Sequence, residues 1–332
     1  MNKEPDIKRF HFFVLIAVVI SMMGGCVNVS KQKTLKLAHS LESAHPVHKG
    51  MIFMAKRLEE ISGGRLSMEI YSSGQLGSEQ QCVELLQLGS LAITKVSAAV
   101  LESFTNNFQV LGLPYIFRSK EHAFKVLDGE IGKELLISTE QYKVRGLCFY
   151  DAGARSFYTI DSPIEKPEDL KGLKIRVMKS QTAMNLVKTM GGSPTPISWG
   201  ELYTALQSGV VDGAENNPPS FYTSRHYEVC KYYSLDEHTR VPDVVIISTV
   251  VWNSLTDQEK KWLQQAADES VVEQRKYWAE SEKESLEKVQ EAGVKINYSD
   301  KEPFIEIVQP MIESYRTEPE LYRLIQRIRA IE

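Results

Sequence analysis

The sequence is short of cysteine, with only Cys26, Cys82, Cys148 and Cys230 among its 332 residues. Beyond Cys26 three remain, none closely spaced, so there is no disulfide framework or cysteine metal site and at most one bridge. Charge of one sign is also lacking: 39 basic side chains against 43 acidic give a net charge of −4, and no basic patch occurs. That balance offers no electrostatic case for a nucleic-acid partner. No low-complexity linker and no repeat at solenoid periods is present. Enzyme signatures are missing too: no Gly-x-Ser-x-Gly elbow, no Walker loop, no Gly-x-Gly-x-x-Gly after a strand, no His-Glu-x-x-His. His45 and His48, three apart with Glu42 nearby, lack the further ligands a metal site needs. Neither a metal nor a cofactor is expected, and the weight shifts from catalysis to binding.

The N-terminus sets the compartment. Lys3, Lys8 and Arg9 precede an apolar stretch, Phe10 to Ile20, broken only by His11, and small residues Gly24-Gly25 lead to Cys26. A charged start, a short apolar run and a small-residue cut read as a secretory signal over residues 1–26. A transmembrane anchor is the alternative, but the run falls short of the roughly 18–20 residues a span needs. Cys26 resembles a lipobox cysteine, with Met23 where leucine is usual, which predicts lipidation and an anchor on the outer face of the cell membrane. Removing residues 1–25 leaves 36 basic and 41 acidic side chains. About 300 mature residues exceed one comfortable core, so two domains are expected.

The mature chain alternates strands and helices. Leu35 to Ala38 reads as a strand, His45 to Ile61 as a helix with Met51, Met54, Ala55 and Leu58 at helical spacing, and Leu66 to Tyr71 as a half-buried strand. Gln80 to Leu88 reads as helix and Ala92 to Val96 as strand. After Tyr150 the pattern restarts: Leu173–Met178 strand, Gln181–Met190 helix, a capping box Ser198-x-x-Glu201 opening the next helix, and Val210–Gly213 strand. This grammar predicts open, mostly parallel α/β sheets. Val244 to Val251 is a β-branched run long enough to cross a domain boundary. Thr256-x-x-Glu259 caps a helix running to about Gly293, roughly 55 Å at ~1.5 Å per residue. Either it breaks near Ser270 to Val272 or it braces both domains, which the surrounding architecture favours.

Charge sits where a buried strand should be apolar. In Leu173 to Met178, Ile175 and Val177 share one face, Lys174 and Arg176 the other. A strand between helical layers buries both faces, so Arg176 needs a compensating anion. An internal salt bridge, to Asp212 or Glu215, is one answer. Arg155, after the small run Ala152-Gly153-Ala154, and Asn216 at a strand end suggest another: a ligand carboxylate with neighbouring hydroxyls, matched by the guanidinium fork.

These residues also carry a family resemblance. Asp169 to Val177, Gly191-Gly192-Ser193-Pro194-Thr195-Pro196, Glu201 to Gln207, Val211 to Asn216, Tyr71 to Gly77 and Leu113 to Phe117 together resemble the substrate-binding proteins of tripartite ATP-independent periplasmic (TRAP) transporters, of the dicarboxylate- and sialate-binding type. The resemblance implies a two-domain periplasmic-binding-protein fold, with crossing strands and a long helix bridging the lobes. It implies lobe I over 33–151 with 241–281, and lobe II over 152–240 with 282–332. Arg176 matches the arginine that pairs with the ligand carboxylate, Arg155 its second arginine, and Asn216 the asparagine at the same ligand end. Trp199 falls at an aromatic wall position, with a core tryptophan as the alternative. Lys95 and Ser97 fall on lobe I's side of the cleft. Sialate-binding relatives hold a glutamate at the Ser97 position, which argues against sialate. Ser40, Glu79, Asp151 and His238 are expected at the rim. The run Trp199–Tyr203, Asn217–Tyr222 and Ser234–Thr239 looks most like hexuronate-binding members, so D-glucuronate or D-galacturonate is expected, with C4 dicarboxylates and other sugar acids next. The implied partner is a membrane permease driven by an ion gradient, served by a monomeric extracytoplasmic protein. A receptor domain of a sensor system is the alternative, an extracytoplasmic enzyme a distant third.

Overall fold

The computed structural model describes residues 32–332; the predicted signal and Cys26 lie outside the described residues. Eleven strands, β1 Lys33–Ala38, β2 Leu66–Tyr71, β3 Ile93–Ser97, β4 Val144–Tyr150, β5 Arg155–Thr159, β6 Lys174–Val177, β7 Ser193–Pro196, β8 Gly213–Asn216, β9 Tyr232–Thr239, β10 Asp243–Ser248 and β11 Lys295–Asn297, form two sheets. Their orders are β2-β1-β3-β10-β4 and β11-β9-β5-β8-β6-β7.

The chain makes two short crossings between the sheets, from β4 into β5 through residues 151–154 and from β9 back into β10 through 240–242, and a third, long passage from β10 to β11 through residues 249–294. The two short crossings run antiparallel, with Tyr150 opposite Asp243 in one sheet and Arg155 opposite Thr239 in the other. Each sheet is mostly parallel, as expected, with one reversed strand: β10 runs against β3 and β4, and β5 against β8 and β9. The β-branched run behaves as a crossing core strand only to Ser248. Thr249–Ser254 turns into a helix, and Val250 is exposed there. The strand placed at Val210 begins instead at Gly213, where a Cβ would come within 2.4 Å of the Tyr158 carbonyl oxygen. Only a glycine lets β5 approach so closely.

Helix ends follow local chemistry. His45 accepts from the Val47 N–H ahead of Pro46, and Gly63 at φ 60° closes the helix Pro46–Ser62. Its apolar stripe, Met51, Met54 and Leu58, is fully buried, worth ~1.5–3 kcal/mol for each such side chain. The Thr256–Glu259 capping box forms in both directions. The Ser198–Glu201 box does not: Ser198 makes no cap bond, and both side chains line the cavity described below.

The long helix runs unbroken over Asp257–Glu291, 35 residues, or ~52 Å. It packs on Pro46–Ser62 and β4 beside one sheet and on the helix Pro218–Thr223 beside the other. It also grips the first crossing. The Gln274 side chain accepts from the Asp151 N–H at 2.9 Å and donates to the Asp151 carbonyl at 2.8 Å, standing in for a missing strand neighbour. Gly153, at φ +60°, lies where a Cβ would meet the buried Trp278 ring at 2.9 Å. The last helix, Pro319–Ala330, expected with the second sheet, packs on the chain between β3 and β4: His122 Nε2 lies 3.0 Å from the Ile328 carbonyl, and Arg118 donates to the Arg329 carbonyl at 2.8 Å. Cys82, Cys148 and Cys230 are all free and buried. No helix among the described residues is long and apolar enough to cross a membrane.

Candidate functional site

A cavity of about 770 Å³ opens between the two sheets, inside the ~300–1,000 Å³ range of small-molecule sites. Of the expected residues, Ser40, Glu79, Lys95, Ser97, Arg155, Arg176, Trp199 and Asn216 all line it. Asp151 and His238 do not. Both are buried behind the wall, because each completes an internal network: Asp151 accepts from the Gly153 N–H, and His238 lies 2.8 Å from Asp236 and stacks on Phe157.

Strand geometry delivers the charges. Arg155 opens β5, Arg176 lies inside β6, and Glu215-Asn216 end β8, the strand between them. Arg155 spends four of its five N–H donors on Glu215 and Asn216. Its Nε and Nη2 grip the Glu215 carboxylate, the latter at 2.9 Å, and its Nη1 donates to Asn216 Oδ1 at 2.8 Å. Burial raises the Glu215 pKa, but Arg155 and then His238 outweigh it and hold it at about 2. Burial likewise opposes charge on His238, while Asp236 and Glu215 hold its pKa up to about 9. Arg155, Glu215, His238 and Asp236 thus form a closed set of charges. Arg155 lines the cavity with its charge paired by Glu215 and one Nη1 N–H left over.

Arg176 differs in every respect. It is 2% exposed, its Nε donates to the Ile197 carbonyl at 2.8 Å, and its Nη1 is buried with no partner. Both protein anions proposed for it are taken: Glu215 by Arg155, and Asp212 by the Lys174 N–H at 2.7 Å. Burial accordingly draws its pKa below the ordinary guanidinium value. A guanidinium stays protonated in any case. Trp199 is half-buried, 5.9 Å from the Arg176 guanidinium, so it is a cavity wall rather than a core side chain. Asn216 spends its Oδ1 on Arg155 and on Asn217, which leaves its amide N–H groups to donate.

Across the cavity, Lys95 is buried between Glu79 at 2.9 Å and Asp243 at 3.1 Å. The Ser97 N–H donates to Glu79 Oε2 at 3.2 Å. Asp243 was missed by sequence reading; its only signal is a charge at the head of an apolar strand, directly after Pro242. His45 and His48 are hydrogen-bonded elsewhere, His45 Nε2 with Ser220 Oγ at 3.1 Å and His48 Nδ1 with His39 Nε2 at 2.9 Å. Burial lowers the pKa of His45 well below 6.5 and that of His39 to about 3. The neutral imidazoles leave the wall's charge to Glu79, Lys95 and Asp243.

Comparison with known proteins agrees with this geometry. Residues 37–318 match the family described as bacterial extracellular solute-binding protein, family 7. A TRAP periplasmic solute-binding protein of Xanthobacter autotrophicus Py2, solved with bound β-D-galacturonate, is 40% identical, covers 90% of this chain and 100% of its own, and superposes with a TM-score of 0.87. One from Anaerococcus prevotii, solved with D-glucuronate, is 37% identical at the same TM-score, covering 90% of this chain and 97% of its own. The sialic acid-binding periplasmic protein of Vibrio cholerae is 30% identical over 90% of this chain and 94% of its own. With its two sheets, paired crossings and bridging helix, the chain belongs to family 7 of the bacterial extracellular solute-binding proteins and is a solute-binding protein of the TRAP type.

Proposed function

We propose that this protein captures a hexuronate, D-glucuronate or D-galacturonate, between its sheets and delivers it to a TRAP membrane permease. The observation that carries the reading is Arg176, a buried guanidinium on the cavity wall with an unpartnered N–H and no protein anion. A carboxylate in the cavity supplies what the fold withholds, and Asn216 donates to the same ligand end. Trp199 gives a flat apolar surface for a sugar ring. Relatives solved with galacturonate or glucuronate support the choice of acid. One from Polaromonas with D-erythronate, 31% identical, marks the neighbouring class of sugar acids.

In this reading, residues 33–151 with 241–281 and the last helix Pro319–Ala330 form one lobe, and 152–240 with 282–318 form the other. The crossings 151–154 and 240–242 act as the hinge, and closure desolvates the ligand and strengthens the Arg176 contact. The protein binds and releases without chemistry, as a monomer at the outer face of the membrane, held there through Cys26. A melting panel of hexuronates, aldonates, C4 dicarboxylates, neutral hexoses and sialate tests it. Acids should stabilise and hexuronates most, by ~2.7 kcal/mol at 100 times the dissociation constant. A neutral hexose stabilising as strongly as glucuronate refutes it.

A further inference from the structure

The wall facing Arg176 carries a charge pattern of its own. Lys95, 2% exposed, is fixed between Glu79 and Asp243, so the three groups sum to −1. The opposite wall sums to +1, because Arg155 and Glu215 cancel and Arg176 does not. Glu84, Glu201 and Lys179, at the cavity mouth, are exposed and add no compensating positive charge in the interior. Burial raises Asp243 and Lys95 lowers it, for a balance at about 6, so above neutral pH it is ionised.

The free valences on this wall are specific. Lys95 has three N–H donors and spends one on each carboxylate. Asp243 accepts Lys95 on Oδ1, while its Oδ2 accepts from no described residue. One donor and one acceptor side by side match two neighbouring hydroxyls, each of which donates and accepts. A carboxylate in that place has no proton to give and meets two like charges, and like-charge juxtaposition in a desolvated site costs several kcal/mol.

We propose that Glu79, Lys95 and Asp243 read the far end of the ligand, taking a pair of neighbouring hydroxyls and rejecting any acid that places a second carboxylate there. This rests on the reading that Arg176 holds the first carboxylate. The protein is thereby selective for singly charged sugar acids over their doubly oxidised counterparts, the hexarates, and over C4 dicarboxylates.

The test is titration calorimetry at pH 8 with matched probes: D-galacturonate against galactarate, and D-gluconate against D-glucarate, an open-chain pair differing only at the terminal carbon. The wild-type protein should bind each monocarboxylate at least ~10-fold more tightly than its dicarboxylate. Asp243→Asn, which keeps the side-chain shape and removes the net charge, should narrow that ratio at least several-fold, and Glu79→Gln should do the same from the other side of Lys95. Hexarates binding within threefold of hexuronates, with Arg176 required for both, would overturn the role of the triad and leave the carboxylate clamp standing. Ratios unchanged in both variants would overturn it equally. If neither monocarboxylate binds, the reading beneath falls, and this one with it.

Discussion

The two cavity arginines should respond oppositely to removal. Arg155→Met leaves Glu215 buried beside His238 without its main partner, and orphaning one member of a buried pair costs ~3–5 kcal/mol. For a chain of this size a kcal/mol corresponds to roughly 1.5 °C in melting temperature, so the apo protein should lose roughly 5–8 °C. Arg176→Met removes an unpartnered buried donor, a relief of ~1–3 kcal/mol, and gives up the bond from Nε to the Ile197 carbonyl, a loss of ~1.5–3 kcal/mol. These nearly cancel, so apo melting should stay within ~2 °C of wild type. Affinity reverses the order. Arg176→Met loses the charge-assisted contact to the ligand carboxylate, ~2–5 kcal/mol or about 30-fold to several thousandfold. Arg176→Lys keeps the charge but not the fork and should recover only part of it. Apo scanning calorimetry beside titration with D-galacturonate and D-glucuronate separates the two quantities. If Arg176→Met melts as low as Arg155→Met while binding persists, Arg176 is a structural ion and the clamp is wrong.

Other tests address the frame. His238, raised in the fold to about 9, contributes stability that is complete below pH 6.5 and is lost as pH climbs through 9; denaturant titrations should show wild type weakening over that window and His238→Gln weakening less, and parallel curves would contradict the charge set. Gly153→Ala combines a positive φ with a 2.9 Å contact to Trp278 and should cost ~2–4 kcal/mol in urea unfolding; a neutral outcome would show that the crossing is not packed as described. Thr256→Ala should cost ~1 kcal/mol and Ser198→Ala less than ~0.5, since only the first side chain makes a cap bond; equal melting shifts would refute the distinction. Cys26→Ser should move the protein from the membrane to the soluble extracytoplasmic fraction, and unchanged membrane association would reject lipidation.

Much of the frame was legible because local chemistry fixes it. His45-Pro46 and Gly63-Gly64 bracket one helix, and Thr256-x-x-Glu259 announces another. Whether that long helix breaks was not legible, since its apolar residues come only in brief turns; what holds it straight is tertiary, in Gln274 gripping Asp151, Ser270 bonded to Tyr150 and Trp278 buried against Gly153. The Ser198 box matched a sequence rule and failed because its residues face an open cavity. The strand and helix grammar placed the return strand but did not give its direction, for a related reason. An antiparallel crossing needs no helix of its own, and β9 reaches β10 in three residues.

The site shows the same limit in sharper form. Sequence placed two arginines and an asparagine at strand ends, and the fold does gather them. Which arginine is free depends on register. β8 lies between β5 and β6, with Asn216 opposite Ser156 and Ala214 opposite Arg176, so Glu215 is presented to Arg155 and not to Arg176. Asp212, the other anion the sequence offered, is spent on the Lys174 backbone. A single residue of slip along β8 exchanges these faces, and nothing in a linear pattern of charges reports it. The same register that neutralises one guanidinium leaves the other buried and without an anion, and that asymmetry, more than the number of cations, is what the proposed carboxylate clamp rests on.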